Sequence, residues 1–214
     1  MMLRPGPDRA SRGSATAEFL LIAIVVLLPL VFGTLDLALL AVTRHTLGVA
    51  SLMAARAGAV EHGDRGVMQR TLARGLSPLY AVHGDSEALA RSYADVLRPD
   101  RTRIEIWSPV AASFADFGEM VDGRVEIPNV WPQEQVRVGA ASRQTIVEAN
   151  QLGLRVSICR TLLFPLTASM ITPVLGARDP DTFGQGCRAQ RGVALHARVL
   201  VHMHSPARRD AMGI

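Results

Sequence analysis

The alternation of polar and apolar positions divides this chain into an anchor and a domain. Charged residues are missing from Phe19 to Leu35, a run reading FLLIAIVVLLPLVFGTL that continues past one acid, Asp36, through LALLAV to Val42. At about 1.5 Å per residue this run crosses a bilayer as a helix, and it is apolar on every face, as core helices seldom are over such a length. The pattern predicts a membrane span. Arg4, Arg9 and Arg12 precede it against a single acid, Asp8, so the positive-inside bias puts the N-terminus in the cytoplasm and the bulk of the chain outside. A cleavable secretory signal is the competing reading. It would place small residues directly after the apolar run, whereas Ala50, Ala54, Ala55 and Ala57 follow only after Arg44 and His45.

Helical character continues outside the span. From Leu37 to about Glu61 the chain is rich in Ala and Leu, lacks proline and repeats Val42, Thr46, Val49, Leu52 and Met53 at helical spacing, until His62-Gly63-Asp64 ends it. Two shorter helices are predicted, over about 67–76 and 86–97, each ending before a proline. TRIEIWS then alternates as a half-buried strand, and Asp122-Gly123 marks a hairpin turn. A short helix over about 142–151 precedes a strand at 154–159. A last strand, GVALHARVLVHMHS, sets Val193, Leu195, Ala197, Val199, Val201 and Met203 on one face and His196, Arg198, His202 and His204 on the other. Between these strands lies LLFPLTASMITPVLG, Leu162 to Gly176, too short for a second span, with Pro165 and Pro173 expected to exclude a regular helix. It reads either as buried core or as a sticky loop or short helix that packs on a partner or dips to the membrane face.

The fold class expected is α+β. A long N-terminal transmembrane helix continues into an exported domain with a small antiparallel sheet, as a leader over 1–13, a span over 14–42, a helical extension over 43–62 and the domain over 63–214. Length agrees, since 214 residues leave room for one domain of ordinary size. The net charge is +4 and all 23 cations are arginines, a bias of the kind a GC-rich bacterial genome produces; they are scattered among acids with 5% aromatics, which argues against nucleic-acid binding. Cys159 and Cys187 fall in the exported part, where a disulfide is permitted; two buried thiols are the alternative. Their separation is no zinc signature, and His196, His202 and His204 lack a cysteine or carboxylate to complete a metal set, so no metal and no cofactor are expected. No nucleophile motif or phosphate loop occurs, so no catalysis is expected either.

Glu18 stands at the lip of the apolar run, where a carboxylate is costly unless paired or held among headgroups. It lies five residues after Gly13. The stretch RGSATAEFLLIAIVVLLPLVFG therefore resembles the processing site of type IV pilins and pseudopilins, and Phe32-Gly33 followed by Asp36 and the Ala/Arg-rich helix narrows the resemblance to the TadE-like proteins of the tight-adherence (Tad) pilus, a type IVb system. TIVEANQLGLRVSICRTLLFPL and ARVLVHMHSPA also look like that family's C-terminal region, while about 61–140 matches nothing recognisable. The aliphatic LALLAV after Asp36 departs from the aromatic common there.

The resemblance implies a prepilin peptidase that cuts between Gly13 and Ser14. It also implies a register role for Glu18, whose carboxylate would neutralise the new amine of a neighbouring subunit. A pilin-like subunit of the bacterial inner membrane would result, single-pass, N-terminus cytoplasmic and domain periplasmic. Its partners would be other Tad pilins and inner-membrane assembly proteins, with no small-molecule substrate. Pro29, Phe32, Gly33 and Asp36 are the span's own features. An unprocessed, signal-anchored binding protein of the envelope is the alternative function.

Overall fold

The long helix forms where the apolar run predicts it. A computed structural model describes residues 14–83, 85–131, 137–176 and 181–214. The leader, with Arg4, Arg9, Arg12 and Gly13, lies outside the described residues. Helix α1 (Ser14–Ile22) passes through one π-helical turn (Ala23–Leu27) into α2 (Leu28–Val60). Pro29 explains the turn. Its ring crowds the carbonyl of Val25 and supplies no N–H to it, so the ladder shifts and the N–H of Leu28 reaches back to the carbonyl of Ala23. The helix is long and apolar enough to cross a membrane, and only 6% of its most apolar 18-residue window is buried within the molecule, unlike a core helix.

From Asp36 onward, α2 acquires a buried face. Helix α3 (Arg65–Leu76), capped by Asp64 through the N–H of Val67 at 2.7 Å, turns back against it. A 3-10 turn (Ser77–His83) and α4 (Asp85–Leu97) complete a helical layer. The helices approach closely because the contact residues are small: a Cβ on Gly75 would lie 2.6 Å from Ala50 Cβ and 2.8 Å from its backbone. Leu47, Ala54, Met68 and Leu72 fill this core and meet Leu152, Leu154 and Val156 of the sheet. Each fully buried large side chain contributes roughly 1.5–3 kcal/mol.

Strand β1 (Thr102–Ser108) follows, then α5 (Ala111–Phe117), and a hairpin of β2 (Glu119–Val121) and β3 (Arg124–Ile127). Asp122 and Gly123 both have positive φ, 48° and 77°, as the hairpin turn demands. Helix α6 (Ile146–Ala149) leads into β4 (Gln151–Thr161), α7 (Pro165–Gly176), α8 (Thr182–Ala189), β5 (Gly192–His202), β6 (Ala207–Arg208) and α9 (Arg209–Met212). One antiparallel sheet runs β1-β4-β5, with Ile104 opposite Val156 and Val156 opposite Ala197; a second runs β2-β3-β6. The fold is α+β.

Three expectations change. The helix expected over about 142–151 shrinks to Ile146–Ala149, because Asp116 captures the amides of Ala141 and Ser142 in a turn where Arg143 has φ 59°, and Thr145 with Glu148 forms a capping box only then. The strand after it is longer at both ends than 154–159. The segment whose prolines were expected to exclude a regular helix, with a short helix left open, forms the twelve-residue α7. Pro165 occupies the first helical position, where no N–H is needed, and Pro173 comes eight residues later, at the cost of the bond to the carbonyl of Ser169.

The end of α2 is closed by the chain's last segment. The N–H groups of His204 and Ser205 donate to the carbonyl of Ala59 at 2.9 and 3.1 Å, and the N–H of His62 donates to Ser205 Oγ at 2.7 Å. The carbonyl of Ala59, one of the helix's orphan acceptors, is thereby satisfied from 146 residues away by Ser205.

Candidate functional site

Helix α2 presents two faces with different partners. Leu47, Ala50, Ala54 and Ala55 turn into the domain, while Leu35, Leu39, Val42, Val49, Met53 and Val60 stay between 47% and 59% exposed. The exposed set steps by fours and threes, the spacing of a coiled-coil seam, with Thr46 and Arg56 at the two positions that complete it. Gly48 lies beside this seam with nothing within 4 Å of where a Cβ would be. Such a surface accepts another helix at short range.

Three threonine hydroxyls of the long helix are satisfied locally. The hydroxyls of Thr34, Thr43 and Thr46 donate to the carbonyls of Val31, Leu39 and Val42 at 2.8, 2.7 and 3.0 Å. Glu18 stands on the exposed first part of α1, and Ser14 is its first residue. The bond expected to be cut straddles the limit of the described residues, since Gly13 lies outside them.

Asp36 is satisfied from outside its own helix. It is 1% exposed, and its carboxylate accepts the N–H of Leu163 at 3.0 Å and the hydroxyl of Thr167. Phe32, one turn earlier, stacks on Phe164 with ring centroids 4.2 Å apart and planes 12° from parallel. Gly33 lies between them; a Cβ there would meet Thr167 Cγ2 at 3.9 Å. The F-G-x-x-D residues thus form a clasp for the start of α7. Sequence reasoning named Phe32, Gly33 and Asp36 but missed what they hold. Pro165, a residue favoured at helix starts, was the available signal.

The other candidates lie apart from this clasp. Cys159 and Cys187 form a disulfide, Cα atoms 5.5 Å apart, that ties the end of β4 to α8 over Phe183. Gly192 is required beside it, since a Cβ would sit 2.8 Å from both sulfurs. His196 Nδ1 is 2.8 Å from Ser157 Oγ, and the rings of His202 and His204 meet edge to face at 6.5 Å. Among the described residues no group of three or more His, Cys, Asp or Glu side chains is arranged to hold a metal ion.

A helix long and apolar enough to cross a membrane, with an exposed apolar seam on its outer half and an α+β domain packed on its other side, defines the class of this chain. Residues 13–56 match the family model described as TadE-like protein, so the N-terminal segment of this chain is TadE-like. The matched residues run from Gly13 through Glu18 and the clasp to most of the seam. No curated protein and no solved structure matches the chain.

Proposed function

We propose that this protein is a pseudopilin-like assembly subunit of a Tad pilus system, without catalysis of its own. It enters the inner membrane with its leader in the cytoplasm and its domain in the periplasm. A prepilin peptidase cuts between Gly13 and Ser14, and the helix then joins other pilins, with Glu18 setting the stagger against a neighbour's new amine. The TadE-like match to residues 13–56 supports the pilus association.

The observation that carries the reading is the seam. A helix that needed only to anchor a domain would be covered or polar once past the membrane, whereas Val49, Met53 and Val60 remain about half exposed on the side away from the domain. Helices packed side by side in a filament bury such a stripe.

The test is a cysteine scan of the seam in cells that make the pilus. Val42→Cys and Val49→Cys should form cross-links to a second subunit, and these should vanish when Glu18 is replaced by Ala although the protein still inserts. Inserted protein that never cross-links at either position would overturn the assembly role. Val49→Glu, at an exposed site, should leave folding within about 0.5 kcal/mol of normal and abolish piliation.

A further inference from the structure

We propose that α7 lies in the outer leaflet of the membrane, beside the span, with its exposed apolar face against lipid acyl chains. This rests on the reading of α1 and α2 as a span. The clasp fixes the depth. Glu18 is the last charge before the apolar run, and Phe32 and Asp36 lie fourteen and eighteen residues beyond it, about 21 and 27 Å along the helix axis. A hydrocarbon core is about 30 Å thick. Phe164 on Phe32, and Leu163 and Thr167 on Asp36, therefore hang the start of α7 within the outermost part of that core.

The chemistry of α7 suits that depth. No charged residue occurs from Thr161 to Ala177; Met170 and Val174, four residues apart and so on one side of the helix, are 64% and 66% exposed, and Leu163, just before the helix, is 67% exposed. The opposite side is covered: Ala168 and Thr172 are buried, and α7 packs on α2, β5 and α8. Arg160, which borders the same hollow as Asp36, Leu39 and Leu40, stands where the first charge returns at the headgroups. A second protein chain would also cover apolar side chains, but α7 is held at the level where lipid already surrounds the span. The domain is thereby seated on the membrane at two elements, which restricts its swing about α2.

The experiment uses the full chain in phosphatidylcholine–phosphatidylglycerol vesicles, spin-labelled at single introduced cysteines while the native disulfide stays closed. Val26→Cys in the span and Leu89→Cys on α4 serve as lipid and water references. Labels at Met170→Cys and Val174→Cys should collide with oxygen in preference to a water-soluble nickel complex, as the Val26 label does. Water-like accessibility at both, with Val26 still lipid-like, overturns the proposal and leaves the span intact. Shielding from both reagents also overturns it and assigns the face to another copy of the chain. A water-like Val26 label would remove the span and the proposal together.

Discussion

Replacing Asp36 by alanine probes the joint between the span and the domain. The carboxylate is buried and accepts two hydrogen bonds, from the N–H of Leu163 and the hydroxyl of Thr167. Hydrogen bonds to charged groups contribute about 1.5–3 kcal/mol each, and the Leu163 N–H would be left without an acceptor in apolar surroundings. Stacking of Phe32 on Phe164, of order 0.5–1.5 kcal/mol, would survive. A net loss of about 3 kcal/mol in docking of α7 is expected, which is about two powers of ten in its opening equilibrium. Asp36→Asn keeps one carbonyl acceptor, and its loss should be nearer 1 kcal/mol. Hydrogen–deuterium exchange of the full chain in lipid nanodiscs reads this directly on peptides spanning 162–172. Exchange there should quicken in the order wild type, Asn, Ala, while peptides from the centre of β4 hold their protection. Equal protection in the alanine variant would refute the clasp.

Three further outcomes follow from the fold. Converting both Cys159 and Cys187 to serine opens a link across 28 residues, and the chain-entropy model gives a loss of about 3–4 kcal/mol, or roughly 10 °C in Tm for a domain of this size; an unchanged melting curve would show that the bridge constrains nothing. Gly75→Ala drives a methyl group into the backbone of Ala50 and should lower stability by about 1–3 kcal/mol, seen as an earlier urea midpoint at unchanged slope; an unmoved midpoint would mean α2 and α3 are not in that contact. The hydroxyl of Ser142, then its N–H and that of Ala141, hold the Asp116 carboxyl below its ordinary value of 3.8, so the turn it anchors is stabilised above that value and released as pH falls through the folded one. Protection of the Ala141 and Ser142 amides, measured against their intrinsic exchange rates at each pH, should therefore fall on acidification, and Asp116→Asn should abolish that acid dependence; an identical acid profile in the variant would contradict the assignment.

Regular elements were legible where one local signal governed. The long apolar helix, the stop at His62-Gly63, the Asp122-Gly123 turn and the period-2 pattern of β1 and β5 were all readable because propensity and burial agree there. The α6 region was misread because a side chain from another element, Asp116, takes the amides that would have opened the helix. The clasp was half legible. Phe32, Gly33 and Asp36 stand out as a motif, yet their partners lie 127 and more residues away, and no local rule links an acid in a span to Leu163 and Thr167. Helix α7 was obscured by its two prolines, whose effect depends on position and not on number. The α2 seam was in plain view as residues, but only the packing of the domain shows which side of the helix is left open.

The most direct test of the assembly role is the N-terminal sequence of the protein isolated from membranes of its native host. A mature chain beginning at Ser14, reverting to the uncut form when the prepilin peptidase is removed, is the result the account predicts. A chain that retains its leader from Met1 in the presence of an active peptidase would contradict it.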